Sequence, residues 1–208
     1  MKSPRTMKCH LPVQLLPDEV WTKIPKLLHI SRDPKDVAVS DYHLMKNFSP
    51  TPIKLEDFLE DFLSDALMYT PYREYIWNYL NLPDYENILY LTYENMSADL
   101  EGTIQKVADF LGKELTKENL ERIKDYLKFD NMKARKTNDN KETFQMMGRT
   151  ADASKNFEFV RKGVIGGYRK DMSKEYADRI DNWYAESGGL NQGYNYKNYD
   201  AIKKTFGS

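Results

Sequence analysis

Two hundred and eight residues, set against a typical domain of about 150, accommodate one α/β domain or two small ones and exclude fibrous and repeat architectures. With 31 basic against 32 acidic residues the net charge is −1, so no general affinity for nucleic acid or an anionic membrane is expected, and any anion site has to be local. Nine Phe, 15 Tyr and 3 Trp supply bulk for a core, while one cysteine, Cys9, excludes an internal disulfide and any multi-cysteine metal centre.

The opening MKSPRTMKCHLPVQLLP is basic but interrupted by prolines, with no apolar stretch and small-residue cleavage site of a leader, and no apolar run reaches the roughly 20 residues that span a bilayer. A cytoplasmic protein is the expectation. LPDEVW predicts a helical turn, followed by a buried strand at Lys26–Arg32. Asp33 is placed to cap the next helix, with Pro34 at its first position. Leu55, Phe58, Leu59, Phe62 and Leu63 recur at helical spacing, as do Tyr72, Tyr75, Ile76, Tyr79 and Leu80. Pro83 and its polar neighbours end that helix before a second buried strand, Ile88–Tyr93.

Ile104, Val107, Ala108 and Leu111 mark a helix stopped by Gly112, and Thr116 caps one carrying Leu120, Ile123 and Leu127 inward. Lys133–Ser154 reads as a long polar loop, of the kind that often forms a lid or binding segment. A last helix is expected over about Ser173–Glu186, and residues 187–208 as a poorly ordered tail. Strand and helix in alternation argue for a parallel sheet with ligands at the carboxyl ends of the strands, where Arg32 and Tyr93 fall.

Several residues suit chemistry, each with a plainer alternative. Lys8 and His10 leave an extended backbone on one face, a base beside a cation, although such a pair is more often incidental surface. Arg32 at a strand end, with Ser40 two turns into the following helix, suits an anion as well as it suits a helix cap with a surface ion pair. Arg161, Lys162 and Gly163 offer two cations and a backbone able to approach a phosphate, or a solvated loop. Phe129 suits either core packing or stacking on an aromatic base, and for the stripe Tyr72, Tyr75, Trp77, Tyr79 core is the safer reading. Neither the GxxxxGK[ST] nor the GxGxxG fingerprint occurs, and His10, His29 and His43 lack metal-ligand spacing.

KCHLP, RDPKDVAVSDYH, ILYLTYENM, KFDNMK and FVRKGVIGGYRK, in that order across residues 3–186, resemble the cytosolic sulfotransferase family. The resemblance implies one α/β domain over 1–208, a three-layer parallel sheet with helices on both faces, similar to nucleoside triphosphate hydrolases. It implies sulfuryl transfer from 3′-phosphoadenosine 5′-phosphosulfate (PAPS) to a hydroxyl or amine of a small molecule such as a phenol or alcohol, with no metal, nucleic acid or membrane partner. By that resemblance His10 matches the catalytic base and Lys8 the lysine near the sulfuryl group. Arg32 and Ser40 match the pair holding the 3′-phosphate, Tyr93 and Phe129 line the adenosine site, and Arg161, Lys162 and Gly163 match the loop that closes on the 3′-phosphate.

The chain departs from the family's pattern in three places. No TYPKSGTTW-like segment occurs, so the expectation is an amino-terminally truncated domain lacking the first strand and the loop that cradles the 5′-phosphosulfate. A sheet lacking that strand is expected to have an open edge and an uncovered apolar face. KGVIGGYRK places Gly167 and Tyr168 where the family has Asp-Trp. In the family's dimer segment Ser173 and Lys174 replace Thr-Val, which argues against the usual homodimer. The alternative function is a catalytically impaired paralogue or fragment that binds the nucleotide weakly or acts only as an interaction protein.

Overall fold

The computed structural model describes residues 5–49, 51–82, 86–135 and 162–186. Arg161, the tail 187–208 and all of the expected 133–154 loop beyond Arg135 lie outside the described residues.

A 3₁₀ turn at Val13–Leu15 and helix α1 (Asp18–Lys23) lead into strand β1 (Leu27–Ser31). Helices α2 (Pro34–Phe48), α3 (Leu55–Leu63) and α4 (Tyr72–Leu80) carry the chain to strand β2 (Ile88–Thr92). There follow α5 (Tyr93–Ala98), α6 (Leu100–Leu111), α7 (Lys117–Leu127) and α8 (Phe129–Lys133), then a 3₁₀ turn at Gly167–Lys170 and α9 (Lys174–Ala185).

Capping chemistry sets these boundaries. Asp33 accepts the Lys35 N–H ahead of Pro34, Thr116 accepts from Asn119, and Ser173 accepts from Tyr176. Gly112, in the left-handed region at φ +66°, ends α6. The second strand stops one residue short of expectation because the Thr92 hydroxyl accepts the Asn95 N–H, making Tyr93 the first residue of α5.

β1 and β2 pair in parallel, from Leu27 opposite Ile88 to Ser31 opposite Thr92, so both strands end at one level. α2, α3, α4 and α9 bury Val39, Leu59, Phe62, Ile76, Leu80 and Ile180 among themselves. Lys35 ties α2 to α9 by a bond to Asp181. Burial alone would pull its ammonium down, but that bond and the Asp33 charge outweigh burial and hold it above the ordinary lysine value.

Residues 26–32 are not buried throughout, as the apolar run suggests. β1 alternates: His29 and Ser31 are buried, whereas Leu28 and Ile30 on the opposite face are 42% and 52% exposed. Among the described residues that face is open. No described helix is long and apolar enough to cross a membrane.

Candidate functional site

The two parallel strands deliver Arg32 and Tyr93 side by side just beyond their carboxyl ends. The Arg32 guanidinium carbon lies 4.2 Å from the centre of the Tyr93 ring, a stacking distance for a cation on an aromatic face. Arg32 Nη2 donates to the Val164 carbonyl (3.1 Å) and pairs with Asp36 Oδ2 (3.5 Å). Its Nε–H is buried and finds no acceptor among the described residues. The backbone is held as firmly: Tyr72 Oη donates to the Arg32 carbonyl (2.7 Å) and accepts its N–H (3.2 Å).

Two distant segments complete this corner. Phe129 opens α8, and Gly163 lies against it: a Cβ there would stand 3.0 Å from Phe129 Cδ2 and 3.6 Å from Tyr93 Oη. Gly163 also has φ +63°, a conformation that strains any residue with a side chain. Arg32, Tyr93, Phe129 and Gly163, 131 positions apart at their extremes (163 minus 32), thus form one aromatic and cationic surface. Lys162 is exposed beside it. Ser40, also exposed, sits one turn beyond Asp36 on α2, so these two share a helix face. Beneath, Glu94 accepts the Asp33 N–H (2.9 Å), and burial pushes its carboxyl above the usual range.

His10 and Lys8 occupy irregular chain at the amino end, and both side chains are exposed. The His10 ring centre lies 5.3 Å from that of Tyr69, and the carbonyl of Leu11 accepts a 2.9 Å bond from Tyr79 Oη. Tyr69 touches His10 and Tyr72, the first residue of α4, grips Arg32, so one short stretch of chain contacts both halves of the predicted site. The extended spacing of Lys8 and His10 supplied a shared face but no partner, and the partner is Tyr69.

Sequence reasoning passed over Tyr69, Asp36 and Glu94 as site residues. Tyr72 stood in an aromatic stripe for which core was the safer reading, yet its hydroxyl is spent on Arg32. Its neighbour Tyr79 fits the core reading, being buried against His29 at 4.6 Å between ring centres.

Comparison with known proteins identifies the family. The sulfotransferase domain family model matches residues 1–195. Sulfotransferase 1 family member D1 of Rattus norvegicus is 35% identical over 188 residues, covering 89% of this chain and 62% of the relative. Luciferin sulfotransferase of Photinus pyralis is 30% identical over 189 residues, covering 90% of this chain and 51% of the relative. The chain thus spans less than two thirds of the length of these curated relatives. Retinol dehydratase solved with retinol and PAP, the adenosine 3′,5′-bisphosphate product of PAPS, superposes with a TM-score of 0.74 at 30% identity, covering 86% of this chain and 53% of that one. A mouse sulfotransferase complexed with PAP shares the fold, with a TM-score of 0.73 at 23% identity and coverage of 95% and 67%. From the family model across most of its residues, and from relatives and solved neighbours that agree with it, the chain belongs to the sulfotransferase family.

Proposed function

We propose that this chain binds the adenosine and 3′-phosphate of PAPS at the Arg32–Tyr93–Phe129–Gly163 corner and transfers the sulfuryl group to a hydroxyl or amine of a small apolar acceptor. The convergence of these four residues from four separate segments carries the reading. Tyr93 and Phe129 offer ring surface to adenine. Arg32 offers an N–H that is unmet among the described residues, beside a glycine backbone that admits a phosphate closely, and Ser40 and Lys162 add further donors. The relative named luciferin sulfotransferase and the neighbour holding retinol and PAP point the same way.

PAPS supplies an activated sulfuryl group whose leaving oxygen belongs to the 5′-phosphate. The acceptor oxygen or nitrogen forms a bond to sulfur, the bond from sulfur to the 5′-phosphate oxygen breaks, and His10 takes the acceptor's proton. Lys8 places positive charge where the transferred oxygens develop negative charge. Exposed Tyr69, against the His10 ring, and the exposed Met68 that precedes it in the chain suit an aromatic or otherwise apolar alcohol.

A second reading, binding without turnover, is favoured by the exposure of both Lys8 and His10. A PAPS-dependent sulfation assay on a panel of phenols and alcohols separates the two. The proposal expects product with the wild-type chain and a loss of about 100-fold or more with His10→Ala. Saturable PAP binding with no turnover supports the second reading, and turnover unaffected by His10→Ala overturns the assigned base.

A further inference from the structure

Asp36 is 3% exposed and belongs to the first turn of α2, where the helix dipole favours a carboxylate, yet its partners lie far along the chain. Gly166 N–H donates to Oδ2 (2.7 Å) and Tyr168 N–H donates to Oδ1 (3.0 Å). Gly166 has φ +68°, a turn that points both amides at a single carboxylate. The same Oδ2 pairs with Arg32, whose guanidinium reaches back to the Val164 carbonyl in the same loop. One buried carboxylate therefore fastens the 163–168 loop to the arginine at the end of β1.

We propose that Asp36 is a positioning residue for recognition of the 3′-phosphate. It fixes the Lys162–Gly163 backbone beside Arg32 before any nucleotide arrives, so binding does not have to order the loop. This rests on the nucleotide reading above. Asp36 carries the wrong charge to touch a phosphate itself and acts through Arg32 and the loop amides. In Asp36→Asn one side-chain oxygen remains to accept an amide, while the new NH₂ faces the other N–H donor and repels it.

Three measurements test the assignment. In calorimetry, Asp36→Asn is expected to lose about 10- to 100-fold in affinity for PAP. Its affinity for adenosine 5′-monophosphate, which lacks the 3′-phosphate, should change by less than about threefold, and KM for PAPS should rise with kcat little changed. A merely structural defect would weaken both nucleotides together, and that result overturns the proposal. Hydrogen exchange on the ligand-free wild-type chain needs no variant: the Gly166 and Tyr168 amides are expected to be protected already. Exchange at the rate of unstructured peptide, with protection arriving only with PAP, overturns the proposal. Undiminished PAP binding by Asp36→Asn overturns the positioning role alone. Failure of the wild-type chain to bind PAP, with both amides protected, overturns the nucleotide reading and the positioning role with it.

Discussion

His29 shows how one side chain can set the chain's response to acid. It is buried on β1 among Tyr75, Tyr79 and Tyr90, and its Nε2 has no hydrogen-bond partner among the described residues. Burial lowers its pKa to about 4 from 6.5. The neutral ring carries no penalty above pH 6.5. As pH falls from 6.5 toward 4 the unfolded chain takes up the proton first, and stability is lost. Asp41 acts in the opposite sense, since burial raises its carboxyl to about 6 and its folded form takes up a proton before the unfolded one does. The wild-type profile mixes both, and the difference from a variant isolates one. Urea unfolding at pH 7 and pH 5 should show His29→Phe gaining about 2 kcal/mol on wild type between those values. An unchanged difference would mean that His29 takes up its proton while folded. At Gly163, alanine costs about 1–2 kcal/mol of backbone strain at φ +63° and drives a methyl against Phe129. Gly163→Ala should therefore lower the urea midpoint modestly and weaken PAP binding, both measurable on one preparation.

At the scale of elements, the helices around α2 are held by packing more than by their surface ion pairs. Arg179 grips Glu60 with two bonds of 2.6 and 2.7 Å, and Tyr176 adds a third, but the carboxylate is solvent-exposed and its attraction is screened. Phe62 on α3 is 2% exposed and lies 5.3 Å from the Trp183 ring of α9. Phe62→Ala should cost about 3–5 kcal/mol in denaturant unfolding, far more than Glu60→Gln. These amphipathic helices were legible in the sequence because their apolar spacing is local, and so were the caps Asp33 and Thr116, which bond within three residues. Asp36 was not legible: nothing nearby signals a carboxylate whose partners are amides 130 positions on. Tyr72 was misleading for a related reason, because a core-like stripe position says nothing of where its hydroxyl ends.

At the scale of the molecule, the described residues form a two-stranded parallel sheet whose apolar residues Leu28 and Ile30 are exposed on one face. Parallel sheets are ordinarily covered on both sides, so Leu28 and Ile30 form a surface prone to self-association. Replacing both by Thr keeps β propensity and removes apolar area. The double variant should scatter less light on concentration while its urea midpoint moves little. The strands were legible as strands, but their burial was not, because an apolar run of five residues does not say whether one face or both is covered.

That same sheet sets Arg32 and Tyr93 side by side, and the account rests on their forming a nucleotide site together with Phe129 and Gly163. Titration calorimetry of adenosine 3′,5′-bisphosphate into the wild-type chain and into Arg32→Ala tests this most directly. Saturable one-to-one binding by the wild type, weakened about 100-fold or more by Arg32→Ala, is the predicted result. No heat of binding with the folded wild-type chain, or equal affinity in both proteins, would contradict it.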